Sequence, residues 1–164
     1  MKKRIAVAFT GPSNSGKTTL IVKVSQYLKE QGFKVAIIKH DPKDKAIFDK
    51  EGKDSYKFTQ TGANVAVISS KRTTIFNQEM SEIEEVIEML GSFDILLVEG
   101  LKTLPLPRIC IQRDRLNYDY FEVSDTIATD GSVEIEKIPK SMKILDLNNI
   151  EQIVSWIKDN GKEV

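Results

Sequence analysis

Residues 11–18 read Gly-Pro-Ser-Asn-Ser-Gly-Lys-Thr, two glycines, a lysine and a hydroxyl in the spacing G-x-x-x-x-G-K-[ST]. Glycine lets a loop curl until several main-chain N–H groups converge on one point, which is what phosphate oxygens require. A helix starting directly behind the loop adds the partial positive charge of its N-terminus. The expectation is a phosphate site in which Gly11, Ser13, Asn14, Ser15, Gly16, Lys17, Thr18 and Thr19 contact a nucleotide. Within it the Lys17 ammonium reaches the β and γ phosphates, and the Thr18 hydroxyl coordinates magnesium.

A magnesium nucleotide also needs a carboxylate at the end of a neighbouring strand, to hold the ion or its waters. Asp94 and Glu99 flank the apolar run Ile95-Leu-Leu-Val98. In a parallel sheet the ligand lies beyond the carboxyl ends of the strands. At roughly 3.3 Å per residue, Asp94 stands about 16 Å from that end. Glu99 is therefore the expected metal-side acid and, with Lys17, the expected catalytic pair; Asp94 reads as a solvated strand entrance. His40-Asp41 closes another apolar run at the same edge, which makes Asp41 a further metal candidate and leaves His40 as either a structural residue or a ligand contact. The chain has no Asn-Lys-x-Asp segment to read a guanine base. Asp130, at a strand end, could accept from guanine N1–H and its amine, or it could be a turn residue before Gly131.

The elements that must hold these residues alternate. Arg4 to Phe9 is a β-rich run stopped by Gly-Pro. A helix follows, with Leu20, Ile21, Val24, Tyr27 and Leu28 on one face and Gly32 as its stop. Lys34 to His40 reads as a second strand, continuous enough in Val35-Ala-Ile-Ile38 to be buried on both faces. Asp41 to Gln60 is a long polar loop with a short helix over Ser55 to Gln60. Val65 to Ser69 and Thr74 to Phe76 form a hairpin around Lys71-Arg72. Ser81 and Glu84 have capping-box spacing ahead of a helix carrying Ile83, Val86, Ile87 and Leu90. Asp94–Glu99, Arg108–Gln112, Thr126–Thr129 and Lys143–Leu147 are strands. A last helix carries Ile150, Ile153, Val154 and Ile157, with Trp156 on its packing surface. The alternation predicts an α/β fold: a three-layer P-loop NTPase with a mostly parallel sheet and an added β-hairpin.

At 164 residues the chain is expected to form a single nucleotide-binding domain over 1–164. Its 24 basic and 24 acidic side chains balance, so no bulk field draws it to nucleic acid or to an anionic membrane. The basic start Met1-Lys2-Lys3-Arg4 precedes only a short apolar run, and no run approaches the roughly 18 residues of a membrane helix. The one cysteine, Cys110, reads as a buried strand thiol. These features fit the cytoplasm.

Several segments resemble the molybdopterin-guanine dinucleotide biosynthesis protein B (MobB) family in order and spacing. They are Gly11 to Leu20, Ile38-Lys-His-Asp41, Asp49 to Tyr56, Gly62-Ala63 and Leu97-Val-Glu-Gly-Leu-Lys102. The likeness extends more weakly to Ile111-Gln-Arg-Asp114, Ile127-Ala-Thr-Asp130 and Leu145-Asp-Leu147. Where members often carry a second histidine shortly after the position of Asp41, this chain has Lys43-Asp-Lys45. The resemblance implies a GTP-binding, weakly GTP-hydrolysing accessory protein, usually a homodimer. Its partners would be a MobA-type nucleotidyltransferase, which attaches GMP to molybdopterin, and molybdopterin itself. Gly16, Lys17, Thr18 and Thr19 would be its phosphate residues and Glu99 the acid beside Mg2+. Slow hydrolysis also follows from the residues, since neither an arginine nor a glutamine stands beside Glu99-Gly100. Two alternatives stay open: a small-molecule kinase on the same loop, and a metallochaperone-type GTPase for another metal.

Overall fold

A computed structural model describes residues 3–164; Met1 and Lys2 of the basic start lie outside the described residues. Along the chain come β1 (Ile5–Thr10), α1 (Lys17–Glu30) and β2 (Val35–Lys39). Next are α2 (Asp54–Thr59), β3 (Val65–Ile68), β4 (Thr73–Phe76) and α3 (Ile83–Met89). The chain then passes through β5 (Ile95–Glu99), β6 (Arg108–Gln112), β7 (Thr126–Thr129), β8 (Lys143–Asp146), α4 (Ile150–Asn160) and β9 (Lys162–Glu163). Contacts divide these into two compact units, one ending at His40 and resuming at Ser92, the other Asp41–Gly91.

In the first unit the strands form one sheet in the order β2-β5-β1-β6-β7-β8, all parallel, with β9 antiparallel on β1. Parallel neighbours need crossovers, so every loop after a strand's carboxyl end reaches the same edge. β1 runs through the middle and is buried from Ala6 to Thr10. Against one face pack Leu20, Ile21, Val24 and Leu28 of α1 with Ile153, Trp156 and Ile157 of α4, closing on Val7, Phe9, Leu97 and Ile111. A second cluster gathers Cys110, Ile127, Val133 and Ile138 with Leu116, Phe121 and Ile144. The Cys110 thiol is buried as the sequence suggests, and burial pushes its pKa up.

The second strand differs from its reading. A continuous apolar run suggests burial on both faces, yet Ile37 is 43% exposed; among the described residues β2 is an edge strand that pairs with β5. An apolar run cannot distinguish an edge strand from an inner one, because crossover topology assigns the neighbours.

The Asp41–Gly91 unit holds α2, α3 and the antiparallel hairpin, whose strands form a two-stranded sheet of their own. The cap of α3 stands one residue later than the Ser81–Glu84 spacing suggests: Glu82 is the N-cap, and its N–H donates to Glu85 Oε2 at 3.0 Å. The Ser81 hydroxyl instead accepts from Asn77 Nδ2 at 3.1 Å. Among the described residues, no helix is long and apolar enough to cross a membrane.

Candidate functional site

The loop after β1 is shaped by what it passes. At Gly11 (φ 138°) a Cβ would lie 2.5 Å from the Ile111 carbonyl oxygen of β6, so only glycine fits. Asn14 (φ 63°) and Gly16 (φ 95°) take the left-handed turns that aim the loop N–H groups inward. α1 then begins at Lys17, and Leu20 N–H donates to Gly16 O at 2.9 Å. The first-turn N–H groups of Lys17, Thr18 and Thr19 precede the helix's own hydrogen-bond ladder. Lys17 Nζ folds over the loop, donating to Gly11 O at 2.9 Å and Pro12 O at 2.7 Å. Burial lowers its pKa below the ordinary value, and the nearby Glu99 opposes that shift. The Ser15 hydroxyl is buried with no hydrogen-bond partner. A glycine-shaped cradle, an orphaned buried hydroxyl and a lysine fit a polyphosphate.

Glu99 closes β5 beside Phe9 of β1, and Gly100 N–H donates to Phe9 O at 3.0 Å. That pairing places Glu99 in one cavity of about 450 Å³ with Ser13, Asn14, Gly16, Lys17, Thr18 and Thr19. A carboxylate facing a hydroxyl and a phosphate cradle is the donor set that suits magnesium, a cation of oxygen ligands. Asp94 is at the opposite end of β5, where its Oδ2 accepts the Lys34 N–H at 2.7 Å. His40 packs on Gly100, where a Cβ would come 3.1 Å from the His40 Cβ. Asp41 is the first residue of the other unit, and its Oδ2 accepts the N–H groups of Lys45 and Ala46, each at 2.7 Å.

Two arginines escaped the sequence reading. Arg108, 1% exposed, turns its guanidinium onto three carbonyls of the loop that follows Glu99. It donates to Gly100 O at 2.8 Å and to Leu101 O and Leu104 O at 3.0 Å each. Leu101 in that loop holds φ 46°, a conformation costly for a branched side chain. Burial lowers the Arg108 pKa, and Asp125 opposes it. A charged residue inside an otherwise apolar strand was the only available signal.

Arg113, just past β6, ion-pairs through Nε with Asp130 Oδ2 at 2.8 Å. The Ser132 hydroxyl and N–H donate to Asp130 Oδ1 at 2.5 and 3.2 Å. The Ser132 hydrogen bond, then its main-chain N–H and Arg113, hold the Asp130 carboxyl below the usual carboxylate range against desolvation. The Asp130 side chain thus caps a turn and anchors an arginine at once.

A family model described as molybdopterin guanine dinucleotide synthesis protein B, MobB, matches residues 6–130. The chain is 31% identical over 172 residues to an Escherichia coli protein named molybdopterin-guanine dinucleotide biosynthesis adapter protein, covering 94% of this chain and 95% of that one. A Haemophilus influenzae protein of the same name is 29% identical over 161 residues, covering 93% of this chain and 87% of its own. The crystal structure of Bacillus subtilis MobB superposes with a TM-score of 0.75 at 24% identity, over 96% of this chain and 98% of that one. With a P-loop on a mostly parallel sheet and a family match spanning both units, this chain belongs to the MobB family.

Proposed function

We propose that this protein binds GTP with Mg2+ and acts as a cytoplasmic accessory protein in molybdenum cofactor maturation, assisting a MobA-type nucleotidyltransferase that joins GMP to molybdopterin. The observation that carries the nucleotide reading is the cavity in which Lys17, Thr18 and Glu99 face one another around the phosphate loop. The naming of the two relatives as molybdopterin-guanine dinucleotide biosynthesis adapter proteins supports the pathway.

In this reading Gly11, Ser13, Asn14, Ser15, Gly16 and Thr19 hold phosphate oxygens, Lys17 neutralises the β and γ phosphates, and Thr18 with Glu99 holds the ion. Magnesium would supply charge neutralisation at those phosphates. Glu99→Gln removes charge at nearly constant volume. Its GTP hydrolysis rate should fall about tenfold or more with magnesium present, while Asp94→Asn, at the far end of the strand, leaves the rate alone. Equal rates for the two variants would remove Glu99 from the site.

A thermal-shift panel of GTP, ATP and their diphosphates, with and without magnesium, tests base and ion together. At about a hundred times the dissociation constant, GTP should stabilise by roughly 2.7 kcal/mol, which for a chain of this size raises the melting temperature by about 5 to 10 °C. ATP should give a smaller rise; no rise with GTP would end the proposal. In a purified transferase assay, adding the protein should increase the yield of guanine dinucleotide.

The second copy of a homodimer would seat on the β3-β4 hairpin. β3 and β4 pair only with each other among the described residues, and Ile68 and Ile75 are 79% and 63% exposed. Strand edges that lack neighbours and carry apolar side chains invite pairing with another chain. Light scattering should return twice the 18.5 kDa of one chain; a mass near 18.5 kDa with and without GTP would exclude the dimer.

A further inference from the structure

The carboxyl ends of β6, β7 and β8 each deliver a polar or apolar group to the side of the phosphate loop away from Glu99. A cavity of about 190 Å³ is lined there by Arg113 after β6 and by Leu147 and Asn148 after β8, together with Gly16, Thr19 and Leu20 of the loop and α1; Lys23 completes it. It shares Gly16 and Thr19 with the cavity of Lys17 and Glu99, but neither Arg113 nor Leu147 lines that one. A ligand whose phosphates rest on Lys17 can therefore extend into this cavity, over Gly16 and Thr19. At roughly 30 Å³ per water the volume equals about six waters, more than a single ion needs. Its leucine walls suit a flat ring better than another phosphate.

The position of Arg113 is heavily determined. A Cβ on Gly16 would come 3.5 Å from Arg113 Nη1 and 4.0 Å from its Cδ, so the side chain passes directly over the start of α1. Asp130, after β7, holds its Nε at 2.8 Å and leaves the rest of the guanidinium plane unclaimed. The main chain is tied to the same turn: the Asp114 N–H donates to Ser132 Oγ at 2.8 Å, while the Ser132 hydroxyl donates to Asp130. Asp130 is therefore already engaged on both oxygens, by Arg113 on one and Ser132 on the other. The face it offers a ligand is the arginine's.

We infer that Arg113 is the residue that contacts the nucleoside of the bound nucleotide, its planar guanidinium stacking on the base, and that Asp130 is a positioning residue that aims it. This rests on the nucleotide reading above and names the part of the site that reading leaves open. A guanidinium stack accepts any base, because every base presents a π face. Base choice then falls to a group with directional donors and acceptors, and the Asn148 side-chain amide in the same cavity has both.

The test uses calorimetry on the full chain with GTP, ATP and inorganic tripolyphosphate, the last carrying the phosphates without a nucleoside. Arg113→Ala should weaken GTP and ATP alike by about tenfold and leave tripolyphosphate unchanged. Asp130→Ala should weaken GTP less, and its effect should vanish when Arg113 is already alanine. Asn148→Ala should narrow the ratio of GTP to ATP affinity. Equal losses for tripolyphosphate and GTP in Arg113→Ala would make Arg113 a phosphate contact and overturn the inference, as would an Asp130→Ala effect that persists without Arg113. If the wild-type protein binds tripolyphosphate but neither nucleotide, the nucleotide reading itself fails. The melting temperature of each ligand-free variant separates lost contact from lost folding: it should stay within about 2 °C of wild type for Arg113→Ala and Asn148→Ala, and fall further for Asp130→Ala, whose carboxylate caps the Ser132 turn.

Discussion

Lys17→Ala lowers GTP affinity by about 10- to 100-fold, the loss expected when one hydrogen bond to a charged group, roughly 1.5–3 kcal/mol, disappears. The ligand-free fold should survive. The ammonium donates to the loop carbonyls of Gly11 and Pro12, at 2.9 and 2.7 Å, and it belongs to a local loop turn rather than to the apolar core. The pH dependence carries a further sign. Burial lowers the Lys17 pKa from the ordinary lysine value of 10.5, and the form that binds phosphate is the charged one. Affinity is therefore full at neutral pH and falls as pH rises through a value below 10.5, earlier than an exposed lysine would give. Bound phosphate favours the ammonium, so binding in that range takes up a proton. Calorimetry in buffers of different ionisation enthalpy measures the uptake directly. An unchanged dissociation constant for Lys17→Ala would sink the phosphate-loop assignment.

Arg108→Met is expected to cost about 2–4 kcal/mol of stability, because each half-buried carbonyl left without a donor costs roughly 1–3 kcal/mol where water cannot fully replace it. Methionine keeps the apolar stem volume, so the loss measures the three hydrogen bonds to Gly100, Leu101 and Leu104 rather than a cavity. Chemical denaturation gives the magnitude. The functional consequence is separate: the clamped loop begins at the residue after Glu99, and the guanidinium binds carbonyls on both sides of Leu101, whose φ is 46°. When the loop relaxes, the magnesium dependence of GTP binding should weaken before the loop at residues 11–16 is affected. Arg108→Lys, with a point charge that cannot fork across three acceptors, should recover only part of the loss. A stability within about 0.5 kcal/mol of wild type for Arg108→Met would mean that water satisfies those carbonyls and that the clamp is not needed.

The sequence by itself determined what local chemistry can determine. Two glycines and a lysine at fixed spacing between a strand and a helix specify the loop, since the left-handed turns at Gly11 and Gly16 are local backbone requirements. The alternation of β-branched runs with 3.6-period faces specified the α/β class and located β6 and β7 to the residue, because each has an apolar centre, Ile109-Cys-Ile111 and Ile127-Ala128, between polar ends. The placement of Glu99, and not Asp94, at the phosphate-loop end of β5 also followed from sequence, as it needs only strand direction and the rise per residue.

Partners across the fold were beyond sequence, because they depend on which strand lies beside which. β2 reads as buried on both faces, and the structure leaves Ile37 on it 43% exposed. The two-residue β9, too short for any periodicity, exists because it pairs with β1. The cap of α3 falls on Glu82 while the Ser81 hydroxyl accepts from Asn77, a contact no S-x-x-E spacing reveals. Asp130 looked like a reader of a base or a turn residue, and the sheet order β6-β7 brings it beside Arg113, seventeen residues earlier in the chain. Arg108 and Arg113 carry no local pattern of their own: the first is defined by burial against the loop after β5, the second by an ion pair across adjacent strand ends. Parallel pairing brings distant residues to one edge of the sheet, and only the tertiary structure decides which of them meet there.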